Sequence, residues 1–481
     1  MADKKDTCME YNLMIIERIA NLVGNNEFVC DSQNNKWYSY DELWEKAYKL
    51  SLGLIHSELD GFVTIMENGI DLFFLYFAAM LANKTIVPLD PRKSEVELNM
   101  ILSENSDKLI VRNYSDLEGY NDDQKVIPFD KIIEAIKGIS IDKEYMVTYT
   151  SGSTGKPKGV SHSLRNLFMA ADSFGNAVGL GVKNTMCHVM PMSYMAGILN
   201  TIFMPFLRGS KIVILPRFDV MSAVSFWHSV ERFHVDSFWL SPTMLNILMA
   251  VDRRGDGKHY LESITPLFFI GTAPLFETVR EKFENLYDVR LLQSYGLSET
   301  LFLSTEVPDR TSETSAVGYV LPEVQLSFGD DGEIAVNVPW MFSGYTNDET
   351  EKYFKESSYL TGDIGCCKNG VLSITGRVKD LIIKGGMNIS PKSIEDCILK
   401  HCEINECAVA GVVINEEERI VCWYSGSNEK SAAEMNEYIE NELGKHCCVD
   451  YVIKIQTIPK NENYKPDKKR LVEEYRNANK I

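Results

Sequence analysis

The chain has 481 residues, of which 45% are hydrophobic and 24% are charged, so it can bury substantial cores and is not a disordered chain or a small disulfide scaffold. Its formal net charge of −19 disfavours a nucleic acid or an anionic membrane surface as the main partner. The 11 cysteines are an odd number, and the first residues lack the apolar run of a signal peptide, so we expect reduced thiols and a cytoplasmic location.

Short apolar runs alternate with longer helical patterns over the first part of the chain. The predicted strands are 62–65, 85–87, 108–111, 146–149, 211–215, 237–240 and 267–270. The most apolar stretch, 72–82, is too short to cross a bilayer about 30 Å thick and is predicted as a buried helix, so no membrane span is expected. Apolar strands separated by helix-length segments are typical of largely parallel sheets covered by helices.

The pattern changes in the last third of the chain. Beyond residue 332, closely spaced strands such as 332–336 and 370–374 indicate a small antiparallel β lobe. After Arg377 a compact α+β segment is predicted, with helices at 390–400 and 432–443 and strands at 408–413, 420–424 and 452–455. We therefore expect an α/β protein with a large N-terminal domain of parallel and mixed sheets, residues 1–378, and a small α+β C-terminal domain, residues 379–481.

The most informative segment is the loop TSGSTGKPKG, residues 150–159, directly after a predicted strand. Its glycines allow close approach of the backbone to a ligand, and its hydroxyl and lysine side chains supply donors and positive charge. Polyphosphate binding requires this chemistry. The spacing differs from that of a Walker A loop. Its candidate phosphate-binding residues are Thr150, Ser151, Gly152, Ser153, Thr154, Gly155, Lys156 and Lys158.

This loop resembles the phosphate-binding signature of the adenylate-forming superfamily, which contains acyl-CoA synthetases, adenylation domains of peptide synthetases and firefly-type luciferases. Other segments resemble the family's motifs in the family's order: 271–275 (GTAPL), 295–300 (YGLSET), 359–363 (YLTGD), 376–380 (GRVKD), 384–391 (KGGMNISP) and 459–471. The last segment aligns Lys465 with the family's catalytic lysine. These motifs span most of the chain.

The resemblance implies that a carboxylate attacks the α-phosphorus of ATP, which gives acyl-AMP and releases pyrophosphate. Glu299 is expected to bind Mg²⁺, Thr300 to donate to the α-phosphate, and Lys465 to bridge the carboxylate and the nucleotide. Asp363 is expected to accept the ribose hydroxyls and Arg377 to contact the ribose. The remaining nucleotide-binding candidates are Gly271, Thr272, Ala273, Pro274, Ser294, Gly296 and Tyr295, which is expected to stack on adenine.

Taken one at a time, these charged residues are more typical of other roles. A lone Glu299 is usually a solvated charge, Asp363 a turn residue, Arg377 part of a surface ion pair, and Lys465 part of a solvated basic run. Their occurrence together, in the family's order, favours the functional interpretation.

The resemblance also implies that the C-terminal domain is mobile, with a hinge at Lys379 and Asp380. Rotation about this hinge would withdraw Lys465 and present a loop containing Gly385 and Gly386 to a pantetheine thiol. Attack of the thiol on acyl-AMP would then form a thioester and release AMP. Without the resemblance, the two glycines would be interpreted as a plain β-turn.

The sequence defines the identity of the carboxylic acid much less clearly than it defines the nucleotide site. In amino-acid-activating members an Asp stands where this chain has Met195, so an α-amino acid is disfavoured. Tyr194 stands where acyl- and aryl-CoA ligases often have His. Together with Gly197 and Trp239, these residues are candidates for an acyl pocket, although such residues are as often plain core.

Three functions remain open at this stage. The first is an acyl-CoA synthetase that uses ATP, Mg²⁺ and coenzyme A. The second is a free-standing enzyme that loads an acid onto the phosphopantetheine of an acyl or aryl carrier protein, with a basic patch at 465–470 as a docking candidate. The third is a non-catalytic nucleotide-binding relative. Cys397, Cys402 and Cys407 lack a standard zinc spacing and are interpreted as structural thiols.

Overall fold

The computed structural model describes residues 2–122, 127–151, 157–310, 316–347, 350–384, 387–414, 417–460 and 466–479. Over this range the α-helices are α1 (Ala2–Ala20), α2 (Tyr40–His56), α3 (Ile70–Ala82), α4 (Glu95–Glu104), α5 (Phe129–Lys137), α6 (Leu164–Val178), α7 (Met204–Arg208), α8 (Val220–Val224), α9 (Phe226–Arg232), α10 (Pro242–Val251), α11 (Asp256–Leu261), α12 (Glu277–Tyr287), α13 (Pro391–His401), α14 (Ala432–Leu443) and α15 (Lys468–Asn479). A π-helix, Ala196–Phe203, precedes α7.

The strands over the same range are β1 (Glu27–Asp31), β2 (Lys36–Ser39), β3 (Gly61–Ile65), β4 (Thr85–Leu89), β5 (Leu109–Val111), β6 (Glu144–Ser151), β7 (Pro157–Ser163), β8 (Thr185–His188), β9 (Lys211–Ile214), β10 (Ser237–Leu240), β11 (Leu267–Ile270), β12 (Leu291–Leu297), β13 (Leu301–Thr305), β14 (Ala316–Val320), β15 (Gln325–Phe328), β16 (Glu333–Asn337), β17 (Gly344–Tyr345), β18 (Phe354–Lys355), β19 (Ser358–Lys368), β20 (Val371–Arg377), β21 (Ile382–Lys384), β22 (Met387–Ile389), β23 (Glu406–Ile414), β24 (Glu417–Ser425) and β25 (Tyr451–Lys454).

Two largely parallel regions form the N-terminal part, as the apolar strands predicted. In one, strands β1, β9, β8, β10, β11 and β12 are neighbours in that order and all pair in parallel. In the other, β5, β3, β4 and β6 pair in parallel, and β7 and then β17 extend the sheet antiparallel. Every residue of β4 is buried, because helices cover both faces of such sheets.

The predicted antiparallel lobe is confirmed, but it begins earlier than residue 332. Strand β12 pairs antiparallel with β13, and β14, β20, β19, β16 and β15 follow in that order. The lobe is therefore continuous with the parallel strands. All five residues of β13 are buried, so its sequence lacks the alternation that marks an antiparallel strand with one solvated face.

The C-terminal α+β segment is also confirmed. Strand β24 pairs antiparallel with β23 and parallel with β25. The buried residues of this C-terminal segment form clusters separate from the core of the large N-terminal part, although Phe276 of the large part packs against one of them. Helix α15 was not predicted from the sequence, because its polar residues were interpreted as a solvated basic run. The division after residue 378 stays a prediction.

Two further observations on the described residues concern membrane-spanning helices and the three cysteines interpreted above as structural thiols. No helix among them is both long and apolar enough to span a membrane. Cys397, Cys402 and Cys407 are buried within the C-terminal core.

Candidate active site

The predicted phosphate loop connects the two strands of a hairpin. Strands β6 and β7 pair antiparallel, with Thr150 opposite Lys158 and Ser151 opposite Pro157. The hairpin therefore brings Thr150 and Lys158 to the base of the loop. The loop candidates Gly152, Ser153, Thr154, Gly155 and Lys156, together with the side chain of Ser151, lie outside the described residues.

Lys158 points into a cluster of tyrosine rings. Its ammonium group donates to the hydroxyl of Tyr353 and lies 4.5 Å from the centre of that ring and 5.3 Å from the centre of the Tyr345 ring. Ammonium groups are attracted to the faces of aromatic rings, most strongly where water is excluded. The backbone and the rings together hold this buried lysine at the end of the phosphate hairpin.

The same tyrosine cluster reaches Glu299. Tyr345 donates from its hydroxyl to Oε1 of Glu299 at 2.7 Å, and the hydroxyls of Tyr345 and Tyr359 are 3.0 Å apart. Burial raises the pKa of Tyr194, Tyr345 and Tyr359, and the carboxylate of Glu299 raises each further. These phenols therefore remain protonated. Tyr345 contacts both Glu299 and Lys158, so it joins Glu299 to the phosphate hairpin.

The single carboxylate of Glu299 fits the expected Mg²⁺. Within the described ranges, no three or more His, Cys, Asp or Glu side chains are grouped so that they could hold a metal ion. Mg²⁺ bound with a nucleotide needs only one or two carboxylates, because phosphate oxygens and water complete its octahedron. Glu299 would supply that ligand, and the ion would neutralise phosphate charge during the reaction.

Asp363 joins two of the other predicted nucleotide-binding residues. Arg377 lies opposite it on β20 and donates to it from Nε at 2.5 Å and from Nη2 at 3.4 Å. The hydroxyl of Tyr295 donates at 2.7 Å to Oδ2, the same oxygen that accepts from Nη2 of Arg377. The two oxygens of a carboxylate have about four acceptor positions in total, and these three donors use three of them, so about one position remains for a ribose hydroxyl.

The segment 271–274 follows β11 and lies against the predicted acyl pocket. A Cβ atom on Gly271 would lie 3.1 Å from Oγ of Ser294 and 3.3 Å from the Trp239 ring, so a larger residue would press on both. Thr272 has a φ angle of 71°, which is strained for a β-branched residue. Ala273 and Pro274 continue this loop towards α12.

Gly296 lies where β12 turns into β13. A Cβ atom there would lie 1.8 Å from the carbonyl oxygen of Leu301, so only glycine allows this close approach. The turn beyond it carries Glu299 and Thr300. The Thr300 side chain is buried, and its hydroxyl accepts from the backbone N–H of Leu297 at 3.3 Å.

The four acyl-pocket candidates differ in their surroundings. Tyr194 lies close enough to Glu299 for that carboxylate to raise its pKa, after the larger effect of burial. Met195 and Trp239 are buried at 5% and 2% exposure, and the indole N–H of Trp239 has no hydrogen-bond partner among the described residues. Gly197 is the second residue of the π-helix, and a Cβ atom there would lie 2.0 Å from the Pro191 carbonyl oxygen.

The predicted hinge lies on the surface at the junction of the two parts. Lys379 and Asp380 are exposed in a short 3₁₀ turn, Val378–Asp380, between β20 and β21. A cavity of about 300 Å³ is lined by Gly376, which precedes this turn, and by Leu381 and Asn388, which follow it. Strands β21 and β22 pair antiparallel on either side of the predicted thiol-channel glycines, but Gly385 and Gly386 themselves lie outside the described residues.

The catalytic candidate Lys465 also lies outside the described residues. The chain on either side of it is held in place. Lys460 bridges to Pro466, and Lys468 pairs with the buried carboxylate of Glu395 at 2.7 Å. Arg470 pairs with Glu474 on the same helix. These pairs use much of the positive charge of the basic segment proposed as a carrier-protein docking site.

His162 is a site residue that the sequence did not reveal. In the structure its Nε2 atom lies 2.7 Å from the carbonyl oxygen of Ser298, the residue before Glu299. No local pattern marks this contact, because 136 residues separate the two groups.

Comparison with known proteins covers nearly the whole chain. The sequence model of the AMP-binding enzyme family matches residues 16–346, and that of the AMP-binding enzyme C-terminal domain matches residues 393–465. A long-chain-fatty-acid–CoA ligase of Mycobacterium tuberculosis is 26% identical over 86% of this chain and 88% of its own. A 2-succinylbenzoate–CoA ligase of Bacillus mycoides is 27% identical over 91% and 94%. ATP-bound MatB of Rhodopseudomonas palustris superposes with a TM-score of 0.83, at 22% identity, over 96% and 99%.

Proposed function

The chain belongs to the AMP-binding enzyme family as an AMP-forming acid–thiol ligase, and on that premise we propose that it converts a carboxylic acid that is not an α-amino acid to its coenzyme A thioester. One observation carries the residue assignments within this proposal. Asp363, Tyr295 and Arg377 come from separate motifs, yet they meet through direct hydrogen bonds. Glu299 is in turn joined through Tyr345 to the hairpin that carries Lys158.

In the first step, a carboxylate oxygen of the acid forms a bond to the α-phosphorus of ATP, and the bond to the pyrophosphate oxygen breaks. The products are acyl-AMP and pyrophosphate. Two anions approach each other in this step, so positive charge around them lowers the barrier. We assign that charge to Mg²⁺ on Glu299, to Lys158 and the loop before it, and to Lys465.

In the second step, the sulfur of a thiol forms a bond to the acyl carbon, and AMP leaves with the electron pair of the carbon–oxygen bond. The thiol proton is released to solvent or to AMP. We propose that Lys379 and Asp380 form the hinge at which the C-terminal domain, residues 379–481, moves between the two steps. Their exposure in a short turn supports this assignment, because hinge residues must absorb large changes in φ and ψ.

Coenzyme A is favoured over a carrier protein as the thiol. Both sequence relatives compared above are CoA ligases. A carrier protein is usually acidic, and this chain has a net charge of −19, so docking would need an unpaired basic patch. Lys468 and Arg470 in the candidate patch are already paired with carboxylates, which weakens the alternative.

The acid is proposed to bind beside Tyr194, Met195, Gly197 and Trp239. Met195 offers no carboxylate for an α-ammonium group, and its side chain is buried. The aromatic and thioether groups provide an apolar wall. The relatives act on acids of different size and shape, a long-chain fatty acid and 2-succinylbenzoate, so the assay below covers several classes of acid.

Exchange of labelled pyrophosphate into ATP tests the first step. The purified chain is assayed with fatty acids of increasing length, aromatic acids, dicarboxylic acids and α-amino acids, with and without Mg²⁺. We expect exchange with at least one acid outside the amino acids, and only when Mg²⁺ is present. Thioester formation is then compared between coenzyme A and a carrier protein bearing phosphopantetheine. No exchange with any acid, or exchange with amino acids alone, would contradict the proposal.

A further inference from the structure

The turn that carries Glu299 is held by its backbone at three successive residues. The carbonyl oxygen of Ser298 accepts from Nε2 of His162 at 2.7 Å. The carbonyl oxygen of Glu299 accepts from the backbone N–H of Phe342 at 2.9 Å. The carbonyl oxygen of Thr300 accepts from the indole N–H of Trp340 at 2.9 Å. Each of the three donors lies outside the turn.

The donors come from the part of the chain that forms the phosphate hairpin and its neighbouring strand. His162 lies on β7, four residues after Lys158. Trp340 and Phe342 lie just before β17, which pairs with β7 at Ser161 and Val160. The three bonds therefore connect the β12–β13 turn to the same sheet edge that carries the phosphate-binding lysine.

His162 holds the Ser298 carbonyl oxygen at the cost of one unpartnered ring nitrogen. A carbonyl oxygen can only accept, so Nε2 carries the proton and Nδ1 is a bare acceptor. His162 is fully buried, and Nδ1 has no hydrogen-bond partner among the described residues. An unpartnered buried polar atom costs on the order of 1–3 kcal/mol. An apolar side chain of similar size would avoid that cost, but it could not hold Ser298.

We propose that His162 and Trp340 are positioning residues, which fix the carboxylate of Glu299 relative to the phosphate hairpin. This inference rests on the proposed function, because it takes Glu299 as the Mg²⁺ ligand. Neither side chain touches substrate in this account. Both act on the turn backbone, while Tyr345 holds the Glu299 side chain itself at 2.7 Å.

The consequence for catalysis is geometric. Transfer at the α-phosphorus requires the metal, the phosphates and the attacking oxygen to be aligned, and a displacement of about 1 Å can reduce a rate by about 100-fold. Loss of a backbone tether allows the turn to shift, which affects the metal and the transition state more than the binding of the acid. The value of kcat and the Mg²⁺ requirement should therefore change, while KM for the acid should change little.

The test measures pyrophosphate exchange at varied Mg²⁺ for His162→Phe, His162→Gln and Trp340→Phe, using the best acid for the wild-type chain. His162→Phe removes the donor, and we expect a 10- to 100-fold lower kcat with a several-fold higher half-saturating Mg²⁺ concentration. His162→Gln can present an N–H at a similar position, and we expect it to recover most of the loss. Trp340→Phe should show the same pattern, several-fold in size.

The matched control is Trp44→Phe. Trp44 is equally buried, and its indole N–H donates at 2.7 Å to the carbonyl oxygen of Leu22, in the N-terminal region of the chain. We expect this variant to lower the thermal midpoint without changing the half-saturating Mg²⁺ concentration. Folding of every variant is checked by circular dichroism and thermal unfolding.

The inference is overturned if folded His162→Phe retains the wild-type kcat and Mg²⁺ requirement, or if His162→Gln is as impaired as His162→Phe. If His162→Phe does not fold, Trp340→Phe decides the question, and wild-type kinetics in that variant would overturn it. These outcomes are distinct from failure of the proposed function. In that case the wild-type chain itself would show no exchange with any acid.

Discussion

At the scale of single residues, Asp363 has the most demanding environment in the site. Its side chain is only 3% exposed, and a buried carboxylate is tolerated only when it is well paired. Arg377 and Tyr295 provide that pairing and fix the orientation of the carboxylate. In the proposed role, the residue would therefore be oriented for a ribose hydroxyl before any nucleotide arrives.

Asp363→Asn tests this assignment. The amide loses the charge and places an N–H group next to donors, so roughly 2–3 kcal/mol of binding should be lost. We expect KM for ATP in the exchange assay to rise about 30- to 150-fold, while KM for the acid stays near the wild-type value. Asp330→Asn changes an exposed carboxylate of the same lobe and serves as the control. Equal KM values for ATP in the two variants would contradict the ribose assignment.

Lys465 has its own prediction at this scale, which rests on the family motif alone. Lys465→Ala should lower pyrophosphate exchange by orders of magnitude, because the lysine neutralises two anions only in the adenylating step. Thioester formation from supplied acyl-AMP should persist. Lys469→Ala, four residues further on and exposed, is the control. If both steps fall equally in Lys465→Ala, the lysine does not act in one step alone.

At the scale of elements, α15 secures the chain that follows Lys465. The first residue of the helix, Lys468, pairs with Glu395 of α13, whose carboxylate also accepts from the backbone N–H of Val409 at 2.7 Å. Burial raises the pKa of Glu395, and Lys468 opposes that effect. The segment with the catalytic candidate is therefore attached to the C-terminal core at both of its described ends.

Lys468→Ala should destabilise the C-terminal part, since it leaves Glu395 buried without its cationic partner. Loss of one partner of a buried pair costs about 3–5 kcal/mol, and the partial exposure of Lys468 reduces the expected loss to roughly 2 kcal/mol. Arg470→Ala removes an exposed pair within one helix and should leave stability nearly unchanged, because solvent screens such a pair. Thermal and urea unfolding measure both. Equal effects would mean that the Glu395 pair does not secure the helix.

At the scale of the whole molecule, two buried histidines make stability depend on pH. Burial lowers the pKa of His162 to about 4 and that of His188 to about 3, from an ordinary value of 6.5. Below pH 6.5 the unfolded chain binds these protons and the folded chain does not. Stability therefore falls as the pH falls from 6.5 towards 4, by up to about 1.4 kcal/mol per pH unit for each histidine.

We expect the thermal midpoint to be lower at pH 5 than at pH 7, and these groups should cause little change between pH 7 and pH 8. Removal of one histidine in His162→Gln should make the dependence between pH 7 and pH 5 shallower. An unchanged dependence in that variant would mean that His162 is not buried in its neutral form.

The architecture of the molecule follows from local sequence to a large extent. The predicted helix 432–443 coincides with α14, and strand 237–240 coincides with β10, because their apolar periods are strong and uninterrupted. Antiparallel pairing in the lobe starts earlier than predicted, and α15 was missed. The sequence of β13 reflects its complete burial, and that of α15 reflects ion pairing such as that of Lys468. In neither place does the local sequence preference reveal the element.

The sequence by itself determined the class of fold, the family and the residue types of the site, because contiguous motifs such as TSGSTGKPKG and YGLSET carry their chemistry within a few residues. Only the tertiary structure decided which of those residues meet. The contacts between His162 and Ser298, between Tyr345 and Glu299, and between Tyr295 and Asp363 join positions 136, 46 and 68 residues apart. Such contacts depend on sheet pairing and on the burial of partners from distant strands, and no local periodicity encodes them.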